Sequence, residues 1–292
     1  ASRYAGTMKS PGNSRAARAT LTQGAVAPML IRLTIPMIFG ILSMVLYNLV
    51  DTLFVGRLGK DQLAALSFTF PVVLVISSLA LGLGMGASAA VSRAIGEGDV
   101  GRVRRLTADS LLLAILIVGV AAVTGILTID PLFRALGAGE VTLPYIRDYM
   151  RIWYPGMIFV VVPMVGNNCI RATGDTRTPG IVMMIGAAAN ATLDPLLIFG
   201  LGPFPALGIQ GAAAATLIGR SITFLVALYV LAIRERMIDL RPGRFVHVLA
   251  SWKSVLYVGI PTAATRMIVP IGAGIVTRIV SSYGPEAVAG YG

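Results

Sequence analysis

Two carboxylates, Asp51 and Asp194, lie inside long apolar stretches of this 292-residue sequence. Asp51 ends a run of about twenty uncharged residues that begins after Arg32. A charged side chain at the middle of a membrane costs ~2.5–3.5 kcal/mol on insertion scales, so its retention indicates a compensating role. A buried carboxylate can bind a proton reversibly or supply hard oxygen ligands to a cation.

Each acid is preceded by polar residues at helical spacing. Tyr47 and Asn48 precede Asp51 by four and three positions, and Asn190 precedes Asp194 by four. Residues at these spacings share one face of an α-helix, so we expect a polar cluster around each acid. Two such clusters at similar depth can share a cavity, where a bound ion and a cationic substrate would exclude each other. The alternative is that each acid only bonds a neighbouring backbone or hydroxyl group and fixes helix packing.

The composition is that of a membrane protein. Hydrophobic residues make up 56% of the chain and charged residues 13%, with a mean hydropathy of +0.81, whereas soluble proteins carry about 25% charged residues. Cys169 and His247 are the single cysteine and histidine, so disulfide and zinc frameworks are not expected. A membrane-embedded hydrolase would need a nucleophile and a base within the spans, and we expect no enzyme. A scaffold or receptor would leave the buried acids unexplained.

Seven segments are long and apolar enough to cross ~30 Å of hydrocarbon as helices. They cover residues 28–56, 63–92, 106–129, 143–168, 179–201, 208–233 and 253–281.

Basic residues alternate sharply between the two sides of these spans. The amino-terminal tail with Arg32, and the segments after spans 2, 4 and 6 counted as far as Lys253, hold 16 of the 24 Lys and Arg residues. Cytoplasmic loops carry such an excess, so the amino terminus is predicted to be cytoplasmic. The net charge of +11 then reflects membrane orientation, and no nucleic-acid partner is expected. Residues 1–27 contain no apolar signal core and are predicted to be a cytoplasmic tail. An organellar transit peptide is the alternative.

The sequence also aligns with itself at an offset of 225 residues. Ile35, Pro36, Val55, Gly59 and Ala64 then coincide with Ile260, Pro261, Val280, Gly284 and Ala289. A parallel six-helix repeat of this kind is typical of secondary transporters. The predicted organisation is a six-helix lobe at 28–233, a cytoplasmic linker at 234–252 and the first helix of a truncated second lobe at 253–292.

Arg220 and Arg266 each lie more than ten residues from the ends of their spans. At that depth they should face protein or water rather than lipid, which makes them candidates for a cavity wall. Two cavity arginines would favour anionic or lipid-linked substrates.

Six motifs together resemble the multidrug and toxic compound extrusion (MATE) transporter family, in the family's order and over nearly the whole chain. They read LTQGAVAPMLIRLTIPMI, LYNLVDTLFVGRLGKDQLAALSF, GASAAVSRAIGEGD, RATGDTRTPG, NATLDPLLIFG and GIQGAAAAT. The resemblance implies an all-α, polytopic membrane bundle of twelve helices in two lobes, of which this chain would hold the first lobe and helix 7. Span 7 lacks the carboxylate that some branches use, which places the pattern nearer the DinF-like or MepA-like branches.

The resemblance also implies an ion or protonation site in the first lobe, made of Asp51, Asn190, Asp194, Thr216 and, less securely matched, Tyr149. The first four would ligate the metal if the ion is Na⁺. Pro36 matches the proline that bends the family's first helix. Pro36, Tyr47, Asn48, Arg220 and Arg266 are the candidates for lining or gating the cavity.

The function so implied is secondary antiport, exporting organic, cationic or amphipathic drug-like compounds in exchange for H⁺ or Na⁺. The alternative is a flippase or exporter of lipid-linked or anionic substrates from the same superfamily. Beyond the coupling ion, no cofactor is expected. The expected partners are a small organic substrate and the lipid bilayer of the inner (plasma) membrane, in which the protein would be a multi-pass monomer.

Overall fold

A computed structural model describes residues 25–201, 203–238 and 245–291, without the side chains of Arg32, Tyr47, Phe245 and Val246. The predicted cytoplasmic tail therefore lies almost wholly outside the described residues, as does part of the predicted linker. Within the described ranges the chain is helical and contains no β-strand, in agreement with the predicted fold class.

Ten α-helices follow one another in the described part of the chain. They are α1 (Val26–Gly56), α2 (Lys60–Gly96), α3 (Val100–Leu127), α4 (Ile129–Ala135), α5 (Leu143–Gly156), α6 (Ile158–Ala172), α7 (Arg177–Phe199), α8 (Ile209–Tyr229), α9 (Phe245–Val280) and α10 (Pro285–Tyr291). A π-helical turn, Val230–Arg234, extends α8, and a 3₁₀ turn, Ser281–Tyr283, follows α9.

Six of the described helices are long and apolar enough to cross a membrane, and the bent pair α5 and α6 makes a seventh span if counted together. The seven predicted spans correspond in approximate position to these six helices and the bent pair, with one correction. The fourth is two helices that meet at an angle of 42°. Pro155 has no N–H to donate and Gly156 follows it, a combination that breaks a helix.

The spans form a bundle in which α1 lies at the edge. Large apolar side chains of α1 are exposed along most of its length, as expected of a lipid-facing surface. The described buried residues of α1 are Gly40, Asp51 and Val55. At Gly40, α1 approaches α7 so closely that an added Cβ would lie 3.3 Å from Cα of Gly180. This contact holds Asp51 against α7, where Asp194 lies.

The 225-residue repeat appears in the backbone as well as in the sequence. Gly59 connects α1 to α2 and Gly284 connects α9 to α10, with φ of 143° and 101°. Both values favour glycine, because other residues rarely adopt positive φ. The helix after Gly284 begins at Pro285, the position that aligns with the start of α2. The two units thus share a glycine turn and a helix start at positions that the 225-residue offset aligns.

The second unit packs along the first. Helix α9 lies against α2 through close contacts at glycines, where Gly259 faces the backbone of Gly82. Small residues of this kind allow membrane helices to approach one another closely. Near the other end of this contact, Nζ of Lys60 lies 2.7 Å from Oε1 of Glu286.

Candidate functional site

Asp194, Asn190 and Thr216 form a hydrogen-bonded group between α7 and α8. Nδ2 of Asn190 donates to Oδ1 of Asp194, 3.2 Å away, and lies 3.5 Å from Oγ1 of Thr216. Asn190 and Asp194 share a face of α7 because they are four residues apart. Asp194 is 0% exposed and Asp51 is 7% exposed. The charge of Asp51 acts on Asp194, so α1 brings the second acid to the same group.

Three oxygens of this group are buried without a hydrogen-bond partner among the described residues. They are Oδ1 of Asp51, Oδ2 of Asp194 and Oδ1 of Asn190. Buried polar atoms are normally satisfied within a protein, and these three oxygens are exceptions. A proton would satisfy a carboxylate, and the same oxygens could serve as ligands to Na⁺. One carboxylate oxygen of each acid thus contacts no donor among the described residues.

The described residues contain no group of three or more His, Cys, Asp and Glu side chains that could hold a metal ion. A metal site here would therefore depend on two carboxylates supplemented by amide and hydroxyl oxygens. Such a donor set suits a hard monovalent cation better than a transition metal, which prefers imidazole or thiolate.

A cavity of about 290 Å³ opens beside this group. Its wall is formed by α1, α2, α6, α7 and α8, and Asn190, Thr216 and Arg220 line it directly. The charge of Arg220 also acts on the Asp51 carboxylate. Arg220 therefore lies near Asp51 and also lines the cavity, the position for which it was a candidate.

Other predicted residues lie elsewhere. The side chain of Asn48 is exposed, so it does not form the expected cluster with Asp51, because that face of α1 points away from the bundle. Arg266 is also exposed and does not line the cavity, because the described residues of the cavity wall include none from α9. The side chain of Tyr47 lies outside the described residues.

Tyr149 and Pro36 lie away from the cavity wall described above. Tyr149 is buried in α5, within the hydrophobic core. Helix α1 continues through Pro36 without interruption. The carbonyl oxygen of Pro36 faces Gly180, where an added Cβ would lie 2.7 Å from it. Pro36 thus belongs to the contact between α1 and α7.

Sequence reasoning missed the other polar residues of the cavity. Asn167, Asn168 and Arg171 all line it, although Arg171 was counted among the basic residues of a cytoplasmic loop. The predicted span ended at residue 168, whereas α6 continues to Ala172. The signal was present, since Asn167 and Arg171 are four residues apart and share a helix face.

Comparison with known proteins gives the family. The MatE family model matches residues 36–196. The chain is 39% identical over 272 residues to a protein of Shewanella oneidensis named FAD transporter, covering 93% of this chain and 60% of the relative. It is 30% identical to the probable multidrug resistance protein NorM of Thermotoga maritima, covering 90% and 56%.

A solved transporter of the MOP superfamily from Pyrococcus furiosus, described by the reverse polarity of its binding pocket, has the same fold. Its TM-score is 0.75 at 34% identity, and the match covers 84% of this chain and 54% of that one. The chain therefore spans a little over half the length of the proteins it matches. Its matched segment, its relatives and its fold agree, and the chain belongs to the MatE family of multidrug and toxic compound extrusion transporters.

Proposed function

We propose that this chain forms the first lobe of an ion-coupled exporter of small organic molecules. The observation that carries the proposal is the buried pair Asp51 and Asp194, each with one unpartnered oxygen, beside a cavity that their neighbours line. Of the curated relatives, one is named an FAD transporter and another a probable multidrug resistance protein, which supports the proposal.

The chemistry of the pair suits reversible binding of H⁺ or Na⁺. Two neighbouring carboxylates in a low-dielectric environment repel each other, and a bound cation relieves that repulsion. Binding therefore changes both the charge of the site and the force between α1 and α7. Because α1 has few buried residues, its packing against α7 is the contact most easily altered by such a change.

Asn190 and Thr216 couple ion binding at the acids to the cavity. Both side chains belong to the ion group and to the cavity wall. A cationic cargo in the cavity would be attracted by the unoccupied acids and repelled once the external ion binds. Ion entry would then release the cargo, which is the exchange that an antiporter needs.

A second candidate cargo is an organic anion, such as the FAD for which the Shewanella relative is named. The specific observation is that Arg171 and Arg220 line the cavity, while the described residues of its wall include no Asp or Glu. This cargo reverses the sign of the coupling. Neutralising Asp51 would free the charge of Arg220 for an anion, so the ion and the cargo would bind together rather than exclude each other. An anionic cargo would then move in the same direction as the ion and would not be exported in exchange for it.

The test uses the transporter that contains this chain, at its natural length, in sealed vesicles with an imposed Na⁺ or pH gradient. Flux of ethidium, a cation, and of FAD, an anion, is followed for the wild type, Asp51→Asn and Glu140→Gln. Glu140 is a matched control, because its side chain is 78% exposed and pairs only with Arg134 among the described residues.

We expect ion-dependent flux in the wild type and in Glu140→Gln, and its loss in Asp51→Asn at equal protein level. Ethidium moving against the ion gradient supports the first cargo class, and FAD moving with the ion supports the second. Unchanged ion-dependent flux in Asp51→Asn would show that the carboxylate takes no part in coupling.

A further inference from the structure

Arg171 lies in the last turn of α6, with its side chain in the wall of the cavity. Its Nε is buried without a hydrogen-bond partner, and its Nη2 contacts the sulfur of Met183 at 3.8 Å. No carboxylate of the described residues lies within ion-pair distance of this guanidinium, which is absent from all of their salt bridges. Arg171 as a whole is half-buried, and a half-buried cation without a counterion is stabilised when an anion binds.

A second polar side chain lies on the same helix face. Asn167 is 7% exposed, lies one turn before Arg171, and lines the cavity together with it. Because an amide oxygen only accepts hydrogen bonds, the part of Asn167 that suits an oxyanion is its Nδ2 group. The amide group of Asn167 brings an N–H donor to the same wall. An oxyanion could therefore accept hydrogen bonds from a guanidinium and from an amide one turn apart.

Much of the remaining wall is apolar and adaptable. Met37, Ile41 and Met44 of α1 face the cavity, together with Phe159, Met164 and Met183. Methionine side chains adapt to ligands of different shape and make favourable contacts with aromatic rings. The cavity volume of about 290 Å³ is near the lower limit for sites that hold drug-sized molecules. It accommodates a ring system with one charged group more readily than a lipid with two acyl chains.

We propose that Arg171 and Asn167 form an oxyanion subsite in this cavity, which binds the phosphate, carboxylate or sulfonate group of a soluble aromatic cargo. The proposal rests on the proposed function in taking the cavity as the cargo site. It goes further in giving Arg171 the charge-recognition role and in committing to an anionic substrate class. The subsite is separate from the acid pair, because Arg171 is on α6 whereas the acids are on α1 and α7.

Equilibrium binding to the purified transporter tests this without any ion gradient, so a failure of ion coupling leaves the result interpretable. The probes share one ring: 1-naphthyl phosphate, neutral 1-naphthol and cationic 1-naphthylmethylamine. A charge-assisted contact predicts that the wild type binds the phosphate roughly 10- to 100-fold more tightly than the alcohol. The amine should bind more weakly than the phosphate.

Three variants define the subsite. Arg171→Gln should abolish the preference for the phosphate, and Arg171→Lys should keep part of it, since the charge remains while the planar fork is lost. Arg177→Gln is the matched control, because Arg177 is an exposed arginine at the start of the next helix; its binding should equal that of the wild type.

The proposal is overturned if Arg171→Gln keeps the phosphate preference, or if the amine binds more tightly than the phosphate. Displacement of 1-naphthyl phosphate by phosphatidylglycerol in mixed micelles would assign the subsite to a lipid headgroup and overturn the soluble cargo. If Arg171→Gln fails to fold, as judged by gel filtration, Asn167→Leu tests the subsite in its place. It should weaken phosphate binding several-fold and leave 1-naphthol binding unchanged, and equal effects on both probes would count against the subsite.

Discussion

Asn190 donates from Nδ2 to Oδ1 of Asp194 at 3.2 Å, which leaves the second carboxylate oxygen of Asp194 buried and unpartnered. One oxygen of the acid is thus held in place while the other remains available to a ligand. A purely structural acid would be expected to use both oxygens within the protein. This geometry, repeated in part at Asp51, underlies the first prediction.

Asp194→Asn should abolish ion-coupled flux as Asp51→Asn does, and the double variant should be little worse than either single one. Two members of one coupled site are not additive, because losing either removes the same function. Flux in vesicles at matched protein level measures this. Independent, multiplying losses would indicate that the two acids serve separate sites.

Thr216→Val keeps the side-chain shape but removes the hydroxyl that lies 3.5 Å from Nδ2 of Asn190. We expect flux driven by a Na⁺ gradient to fall more than flux driven by a pH gradient. Sodium needs several oxygen ligands, whereas a proton needs only a carboxylate. Parallel flux assays with each gradient measure the difference. Equal losses would mean that the hydroxyl is not a ligand and acts only through helix packing.

Membrane topology can be tested with single cysteines at exposed positions. Cysteines at Glu140 and Ala206 should react with an impermeant maleimide added from outside, and cysteines at Glu97 and Arg177 only after the membrane is opened. The expectation follows from the excess of Lys and Arg in the second set of loops. Cys169 is buried, so background labelling should be low. The reverse pattern would refute the predicted orientation.

Gly86→Ala should destabilise the packing of α9 on α2. An added Cβ at Gly86 would overlap the backbone carbonyl oxygen of Val255, and backbone cannot move aside as a flexible side chain can. Overpacking of this kind typically costs ~1–3 kcal/mol. Gly96→Ala is the control, since an added Cβ there meets nothing within 4 Å. In thermal unfolding in detergent, Gly86→Ala should melt at a lower temperature than Gly96→Ala. Equal melting temperatures would contradict the close contact.

Asp130 should contribute a pH-dependent part of the stability. Arg147 donates to both its oxygens, at 2.7 and 2.6 Å, and this hydrogen bonding holds the pKa of Asp130 below its usual value of 3.8. The stabilisation is therefore fully present above pH 3.8 and is lost as the pH falls through the lowered pKa.

The melting temperature of the wild type should exceed that of Asp130→Asn near pH 6, and the difference should shrink in acid. In the Arg147→Lys background, Asp130 should raise the melting temperature by less, because lysine keeps the charge but loses the bidentate geometry. A difference that does not change between pH 6 and pH 3 would rule out the carboxylate as its source.

The number of spans and the candidate acids could be predicted from the sequence. Length and hydropathy identify a membrane helix because the bilayer has a fixed thickness, and Asp51 and Asp194 are conspicuous because apolar neighbours surround them. The repeat was readable too, since Gly59 and Gly284 occupy turns whose positive φ constrains the residue type.

Only the tertiary structure decided which polar residues meet. Asn48 and Asp51 are three residues apart on α1, yet one is exposed and the other is buried, because just a narrow strip of α1 contacts α7. Arg220 and Arg266 look alike in sequence, but Arg220 alone of the two lines the cavity. The predicted fourth span ends before Arg171, whereas α6 continues to Ala172 and places Arg171 in the cavity wall. Helical periodicity fixes which residues share a face, but the face that turns inward depends on how neighbouring helices pack.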